Sequence, residues 1–486
     1  MKTLLRTPCH VGVVGRLMLR RAYNAGEDVK AQQLAWKLIE KGRDLLVAQD
    51  VLIRSLWRTS AYDQVLELTE RWPDADLHGL GAQAAKRLQG ERPAPKVRHG
   101  KTPPEILQSV AFSPTDMVEN WHQTGSVLWF QHPDGWVHWT MPDGWELSTC
   151  HPSLLELSAD VLLRPWVPSV RSPLTPGRVP GTELALSWSA GTDSTAAMQL
   201  LPSDTVLGYH RRTVEGLLDH RNADRTIAAV QNGGHRVVTV PSDHEIIRTH
   251  RGKSIGFSTD YASGVHLILL ADHLNLGGIA FGVPSDNTWL WKGRKFRDFP
   301  STHHWKTWSA RFLEAGLHLV LPINHISEAG AMRIVSNGPW ANVVNSCMRG
   351  DGKTGCERCW KCFLKNGPLG RPFDEKSREI KTFLRARPLR TAQHALWAIQ
   401  SMDLEHLVPD LAHLLAEDLS WWEEAYRPGL DLIPFPWREE VEARTREHML
   451  QILDDDSPLS RVDISFGTEA VEPHLPEASK TAALEA

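Results

Sequence analysis

Seven residues between positions 189 and 195 have the composition of a phosphate-binding loop. They lie between a predicted strand at 184–188 and a predicted helix at 194–201. A turn at a helix N-terminus presents free backbone N–H groups and the positive end of the helix dipole, which together favour pyrophosphate. The hydroxyl side chains add donors, and Asp193 could hold Mg²⁺ against bound phosphates. We predict that the whole loop binds the nucleotide, namely Ser189, Ala190, Gly191, Thr192, Asp193, Ser194 and Thr195.

Other phosphate-binding sequences do not fit this segment. It contains neither the Gly-Lys-Ser/Thr of a Walker A loop nor the Gly-x-Gly-x-x-Gly of a dinucleotide site. The simplest alternative is an ordinary helix start, in which Ser and Asp serve only as N-cap residues.

Four of the six cysteines are concentrated within sixteen residues, with the spacing Cys-x₈-Cys-x₂-Cys-x₂-Cys. Four thiolates are sufficient to close a tetrahedral zinc site, and the glycines between the first two cysteines allow the segment to fold back. We predict a structural Zn²⁺ bound by Cys347, Cys356, Cys359 and Cys362. An iron–sulfur cluster and a catalytic persulfide are the alternatives.

The elements that must position these two motifs form a β-α-β-α pattern. Further strands are predicted at 205–210, 236–240 and 278–283, and further helices at 220–232 and 261–274. This order requires a parallel sheet with right-handed crossovers. Because such sheets bind ligands at the carboxyl ends of their strands, the phosphate loop would lie at the active edge. The predicted fold is therefore an α/β core.

The segments on either side of this core show other sequence patterns. Apolar residues at helical spacing near the N-terminus resemble a tetratricopeptide repeat, with a plain helical cap as the alternative. Two Pro-Asp-Gly-Trp turns predict a small meander, whose tryptophans either cover a sheet or form a ligand platform. The predicted regions are 1–92, helical and TPR-like; 105–165, small and Trp-rich β; 181–368, the phosphate-loop domain with the cysteines; 369–455, helical; and 456–486, a disordered tail.

The sequence Leu-Ser-Trp-Ser-Ala-Gly-Thr-Asp-Ser-Thr at 186–195 resembles the PP-loop of the N-type ATP pyrophosphatases, whose pattern is Ser-Gly-Gly-x-Asp-Ser. Ala190 replaces the first glycine, a change that we expect to require only an ordinary φ. The resemblance implies cleavage of ATP to AMP and pyrophosphate, with a substrate oxygen adenylated and then displaced by a nitrogen or sulfur nucleophile. It also implies nucleotide contacts at two strand ends, namely at Gly208, Tyr209, His210 and Gly282.

Together, the loop and the cysteines are similar to the 7-cyano-7-deazaguanine synthase (QueC-type) branch of that superfamily. In that branch the cysteines bind zinc near the C-terminal end of the PP-loop domain. The resemblance covers about residues 183–365 and excludes both terminal regions. It implies a ligase that forms a C–N bond, but the terminal regions leave the identity of the substrate open.

A basic segment follows the fourth predicted strand. We predict that Lys292 and Arg294 act with Asp193 and Ser189 in catalysis by gripping a phosphate or a substrate carboxylate. The alternative is a solvated surface loop. Adenylation needs no side-chain nucleophile, since in-line positioning, Mg²⁺ and cationic groups around the pyrophosphate can carry it.

Composition limits the partners. With 486 residues, a net charge of −4 and 41% hydrophobic residues, the chain has the balance of an ordinary globular protein and lacks the basic excess of a nucleic-acid binder. No run of about 18 apolar residues predicts a membrane span, and no secretory signal is evident, so we expect a cytoplasmic protein.

The predicted function is that of an ATP-dependent, AMP-forming ligase with ATP, Mg²⁺ and Zn²⁺ as cofactors. Its substrate would be a small molecule or a protein group, and a protein partner could bind the N-terminal helices. A tRNA-thiolating enzyme on the same core and a nucleotide-binding adaptor without turnover are the alternatives.

Overall fold

The chain divides into a small N-terminal unit and a larger unit. The computed structural model describes residues 9–24, 27–59, 61–88, 97–214, 220–347, 349–454 and 457–465. The small unit comprises residues 1–95 with 374–382, and the larger unit comprises 96–373 with 383–486.

The small unit is helical, as predicted. Its first five helices are α1 (Cys9–Asn24), α2 (Asp28–Glu40), α3 (Leu45–Arg58), α4 (Tyr62–Arg71) and α5 (Leu80–Leu88). Apolar faces such as that of Leu52 and Val65 are fully buried between them. Arg58 of α3 pairs with Asp28 of α2 at 3.0 Å, which ties two helices together by charge. The predicted boundary at residue 92 lies outside the described residues.

The larger unit is built on one eight-stranded sheet. In chain order the strands are β1 (Trp121–Thr124), β2 (Val127–His132), β3 (Gly135–Thr140), β4 (Glu183–Ser187), β5 (Val206–Arg212), β6 (Val237–Ser242), β7 (Leu276–Phe281), β8 (Leu290–Trp291), β9 (Lys295–Phe296), β10 (His318–Val320), β11 (Ala425–Tyr426) and β12 (Ile452–Leu453). Two short pairs, β8 with β9 and β11 with β12, lie outside the eight-stranded sheet. The sheet has the order β1-β2-β3-β6-β5-β4-β7-β10. Strands β6, β5, β4, β7 and β10 are parallel, which confirms the α/β class.

Further helices follow α5 along the chain. They are α6 (Glu105–Gln108), α7 (Pro152–Leu163), α8 (Thr192–Leu200), α9 (Arg221–Asn232), α10 (Ile247–His250), α11 (Val265–Leu269), α12 (Ser285–Thr288), α13 (His303–Glu314), α14 (Glu328–Ser336), α15 (Arg378–Arg385), α16 (Ala392–Ser401), α17 (Arg427–Asp431) and α18 (Arg438–Glu447). Helix α15 begins in the part of the small unit that comprises residues 374–382. Among the helices that the structure describes, none combines the length and apolar content needed to cross a bilayer.

The parallel strands place a topological switch point at β4. Its last residue, Ser187, pairs with Gly208 of β5 on one side and with Phe281 of β7 on the other. The chain therefore leaves β4 in one direction and later returns to its opposite edge. In open α/β sheets, ligands bind in the crevice outside the strand ends at such a point.

The Trp-rich segment belongs to this sheet and is not a separate β region. Trp139 of β3 pairs with Ser242 of β6. Just beyond β6, the Asp243 carboxylate accepts a 2.8 Å hydrogen bond from the His138 backbone N–H and contacts the His138 ring at 2.9 Å. Trp129 and Trp139 are 2% and 0% exposed, so they cover the sheet. Strand periodicity alone does not show which sheet a strand joins.

The C-terminal helices share the core of the α/β sheet. Leu430 and Val441 are fully buried in the same apolar cluster as Leu186 of β4. Residues 457–465 also make ordered contacts, since the N–H of Phe296 donates to the Val462 carbonyl at 2.8 Å. The part of the predicted tail from 466 to 486 lies outside the described residues.

Candidate functional site

The phosphate loop is shaped by its own serines. Gly191 precedes α8 with φ −93° and ψ 176°. The Ser194 hydroxyl accepts a 3.1 Å hydrogen bond from the Ser189 backbone N–H and lies 3.2 Å from the Gly191 carbonyl. Ser194 therefore closes the turn from within, and the loop is preformed at the N-terminus of α8.

Ala190 occupies a strained position in this loop. Its φ is 59°, in the left-handed region, so our expectation of an ordinary φ is wrong. The turn between β4 and α8 requires this conformation, which a Cβ disfavours by roughly 1–2 kcal/mol. A glycine at this position of the PP-loop pattern avoids that steric cost, whereas the buried Ala190 incurs it.

Gly282 brings the end of β7 against the loop. A Cβ at this position would lie 2.9 Å from the Cα of Ser194 and 3.2 Å from the carbonyl oxygen of Asp193. Both neighbours are backbone atoms, so they cannot move aside independently of α8. The close approach predicted at Gly282 is thus an approach to the phosphate loop; contact with a nucleotide stays a prediction.

A cavity of about 680 Å³ opens at the carboxyl ends of β4, β5 and β7. Its volume lies within the range of about 300–1,000 Å³ that is typical of small-molecule sites. The predicted nucleotide residues that line it are Ser189, Ala190, Gly191, Thr192, Asp193, Ser194, Tyr209, His210 and Gly282. The structure therefore brings the loop and both predicted strand ends to one cavity.

Two predicted contact residues lie behind this lining. Thr195 is fully buried, and its hydroxyl accepts a 3.2 Å hydrogen bond from the indole N–H of Trp188. A Cβ at Gly208 would lie 2.5 Å from a methyl group of Leu267, so this glycine allows α11 to pack on β5. Both residues shape the site from outside the cavity.

The wall near the end of β5 is built of aromatic rings, with the Arg212 guanidinium 5.4 Å from the centroid of the Phe257 ring. The rings of His210 and Phe257 lie 5.8 Å apart, and both residues line the cavity. Burial lowers the pKa of His210 well below its usual value, and that of the adjacent His244 to about 3. The imidazoles are therefore neutral at physiological pH, and this wall suits a planar, uncharged ring.

Cations outnumber acids around the cavity. The cationic lining residues are Arg212, Arg248, Lys361 and Lys365, and the acidic ones are Asp193 and Asp260. Within the described part of the chain, Lys361 has no hydrogen-bond or ion-pair partner, and its Nζ lies 5.7 Å from the centroid of the Trp360 ring. Burial, and next the Lys365 ammonium, lower the pKa of Lys361. An unpaired lysine facing a cationic cavity favours a polyanionic ligand.

Lys365 anchors a buried network of carboxylates. Its Nζ lies 2.6 Å from both carboxylate oxygens of Asp193 and 3.2 Å from Oε2 of Glu328. The backbone N–H of Glu328 donates to Oδ2 of Asp286 at 2.7 Å. Sequence reasoning missed Lys365 as the partner of Asp193, and Glu328 and Asp286 as members of this network; the position of Lys365 three residues after Cys362 was the available signal.

The charge states in this network follow from its geometry. Burial opposes the charged form of Lys365, but the facing carboxylates outweigh it and raise the pKa of Lys365. Burial disfavours the ionised form of Glu328, but the Lys365 ammonium outweighs this effect, so the pKa of Glu328 is lowered. Burial and the Glu328 carboxylate raise the pKa of Asp286 well above its usual range. Lys365 and Glu328 are therefore charged, whereas Asp286 is protonated.

The four predicted metal ligands form one compact cluster. Their sulfur atoms all lie within 4.8 Å of one another, with distances of 3.9 Å for Cys347–Cys359, 4.0 Å for Cys356–Cys362 and 3.5 Å for Cys359–Cys362. A tetrahedral zinc site with Zn–S distances of about 2.3 Å separates its sulfurs by about 3.8 Å. The cluster therefore fits a single metal ion, whereas an iron–sulfur cluster distributes its four thiolates over two or four irons.

The segment between the cysteines is adapted to this packing. A Cβ at Gly355 would lie 3.0 Å from the sulfur of Cys362, so glycine allows the chain to pass the cluster. The backbone N–H of Cys356 donates to the sulfur of Cys347 at 3.2 Å. Amide donors directed at a sulfur favour its thiolate form, which is the form that binds metal.

The predicted catalytic residues Lys292 and Arg294 do not line the cavity. They lie in the β8–β9 hairpin, where the Nζ of Lys292 is 4.5 Å from the ring centroid of Trp291. The carbonyl of Arg294 accepts a 2.8 Å hydrogen bond from the N–H of Ile464. Helix α12 intervenes after β7 and carries the hairpin away from the loop. The structure therefore does not bring these two residues together with Asp193 and Ser189.

Comparison with known proteins adds one finding. Residues 307–459 match the model of a family of unknown function, DUF6395. The matched segment contains Glu328, the four cysteines, Lys361 and Lys365, and it begins after the phosphate loop. No curated protein and no solved structure matches the chain.

Proposed function

We propose that this chain is an ATP-dependent, AMP-forming ligase that adenylates a carboxylate or amide-like oxygen for attack by a nitrogen nucleophile. The single observation that carries the proposal is a preformed loop at the N-terminus of α8, facing a cationic cavity at the switch point of a parallel sheet. Free amides, a helix dipole and lysines are the groups that bind pyrophosphate.

The two ends of the cavity support different parts of ATP. The phosphates would lie on the backbone N–H groups at 190 and 191, in the cavity that Lys361 also lines. The adenine would lie at the end of β5, where Tyr209 and the neutral His210 and Phe257 rings form an aromatic wall. This orientation places the α-phosphate between the loop and the polar residues that follow β7, among them Asn287.

Asp193 is the residue that would hold Mg²⁺. Its side chain is 28% exposed and faces the cavity, although both its oxygens contact Lys365 in this structure. The ion supplies charge neutralisation of the phosphates when it is bound. Lys365 fixes the carboxylate orientation and is itself held by Glu328.

The ion at the four cysteines is proposed to be zinc with a structural role. Four thiolates leave no open coordination position for a substrate, which is the pattern of structural zinc sites. The same arrangement disfavours the tRNA-thiolating alternative, because a persulfide carrier needs a free, reachable thiol. Cys150, which lies outside the cluster, is buried, and this burial raises its pKa.

One observation favours a nucleotide-binding adaptor as the second candidate. The Asp193 carboxylate is fully engaged by Lys365, and Ala190 replaces a glycine in the strained position of the loop. Such a loop could bind ATP without turning it over.

Pyrophosphate release from ATP tests the proposal. The assay compares the wild type with Asp193→Asn and uses a panel of carboxylates, including 7-carboxy-7-deazaguanine, with ammonia or an amine present. Asp204→Asn is the matched control, since Asp204 is exposed in the turn before β5 at the opposite end of the strands. We expect release that depends on one acceptor, is lost in Asp193→Asn and is retained in Asp204→Asn. ATP binding without release across the panel would favour the adaptor.

A further inference from the structure

Three cavity-lining residues are neighbours of metal ligands in the sequence. Ser346 directly precedes Cys347, Lys361 directly precedes Cys362, and Lys365 lies in the π-helical turn Cys362–Asn366. The two cysteines that flank these residues are both buried in the cluster. The positions of one hydroxyl and two ammonium groups in the cavity therefore depend on where the cluster holds its backbone.

Ser346 is in direct contact with the phosphate loop. Its hydroxyl accepts a 3.0 Å hydrogen bond from the backbone N–H of Thr192 and lies 2.8 Å from the Thr192 hydroxyl. This N–H belongs to the first turn of α8, next to the loop amides at 190 and 191 that a bound anion would use. Movement of Ser346 thus alters the loop itself.

Asn222 of α9 makes a second link between the cavity and the metal segment. Its Nδ2 donates to the carbonyl of Cys347 at 3.0 Å, and its Oδ1 accepts from the N–H of Gly352 at 2.9 Å. Asn222 also lines the cavity. The start and the middle of the stretch between the first two cysteines are therefore connected to the polyanion site.

The cysteine cluster supplies the apolar packing of this segment, in addition to the hydrogen bonds from Thr192 and Asn222. The apolar core around it consists of the cysteines themselves with Phe373, and residues 345–358 contain no helix or strand within their described part. In such segments the free energy of metal binding is the free energy of local folding. A bound ion would thus add a constraint on the backbone that carries Ser346 and Lys361.

We propose that the four-cysteine metal centre and the polyanion site are thermodynamically coupled, with Ser346 and Lys361 as polyanion ligands held in place by the metal. This inference rests on the proposed binding of ATP. Coupling between sites is reciprocal: a polyanion that binds the metal-ordered segment must also slow metal loss, by a factor that is typically about 5–150 for coupled sites.

Metal release measures this coupling on the intact holoprotein. The released ion is followed with excess 4-(2-pyridylazo)resorcinol, with and without saturating Mg²⁺ and a non-hydrolysable ATP analogue. We expect the analogue to slow release about tenfold, within that range. The double variant Ser346→Ala with Lys361→Met is expected to retain one metal per chain, to bind the analogue at least tenfold more weakly and to lose the effect on release.

The variant also controls for chelation of the ion by the nucleotide, which would act equally on both proteins. If the analogue binds the wild type but leaves the rate of release unchanged, or binds the double variant with wild-type affinity, the coupling is refuted while the proposed function survives. If the analogue does not bind the holoprotein at all, both proposals fail.

Discussion

Gly282→Ala should disrupt the site more than a substitution inside the phosphate loop. The added methyl group would lie 2.9 Å from the Cα and 3.1 Å from the backbone nitrogen of Ser194. The end of β7, a strand paired on both sides with β4 and β10, cannot shift without moving the strand, and the first turn of α8 cannot shift without moving the helix. Overpacking of this kind typically costs about 1–3 kcal/mol. We therefore expect a loss of about 2 kcal/mol in the free energy of unfolding and a weaker affinity for ATP.

Gly191→Ala is the matched control, because it adds the same methyl group within the loop motif. Its Cβ would lie 3.4 Å from the Ser189 hydroxyl oxygen and 3.5 Å from that of Ser346, which are ordinary contacts, and the φ of −93° suits alanine. A compatible Gly→Ala change typically stabilises by about 0.4–1 kcal/mol. The motif alone would rank Gly191 as the more sensitive position.

Urea unfolding monitored by tryptophan fluorescence distinguishes the two substitutions. With an unchanged m value, the midpoint should fall for Gly282→Ala and hold or rise for Gly191→Ala. Equal midpoints, or the reverse order, would refute the packing of β7 against the loop described above.

Further predictions concern the buried charges and the metal. Lys365→Met should lower the free energy of unfolding by about 3–5 kcal/mol, because it leaves carboxylates buried without their counter-ion; urea unfolding beside the exposed-site control Lys295→Met measures this, and equal midpoints would contradict the network. The pKa of Asp286 is higher in the folded state than in the unfolded state. Above its unfolded-state pKa, folding must therefore protonate this side chain, and the free-energy cost of doing so grows as the pH rises. Asp286→Asn should accordingly raise the urea midpoint at pH 8, with the gain vanishing toward pH 4; a gain that grows in acid would overturn the assignment. Metal analysis of protein purified without oxygen should give one zinc ion per chain, and less in Cys356→Ser; iron in its place would refute the zinc assignment.

The sequence was most informative where local chemistry is specific. The residue types at 189–195 and at the four cysteines predict the local geometry directly. The structure has a preformed loop and a compact thiol cluster at these positions. The strands β4, β5, β6 and β7 agree with the predicted segments to within two residues at their starts because buried parallel strands give continuous apolar runs. Binding of ATP, Mg²⁺ and zinc stays a prediction.

What the sequence did not predict depends on contacts between distant residues. Lys365 meets Asp193 across 172 positions, and Ser346 meets Thr192 across 154. Nothing in their local sequence marks them as partners. The basic segment around Lys292 was misleading for the converse reason: its charge density is a local property, whereas the direction in which α12 carries the hairpin is set by tertiary packing.

The most direct test of the central claim is calorimetric titration of the holoprotein with Mg²⁺ and ATP, for the wild type and for Lys361→Met. The account predicts one site per chain, competition by both AMP and inorganic pyrophosphate, and an affinity at least tenfold weaker in the variant. An absence of binding, or binding that pyrophosphate does not displace and Lys361→Met does not weaken, would contradict a polyanion site at the phosphate loop.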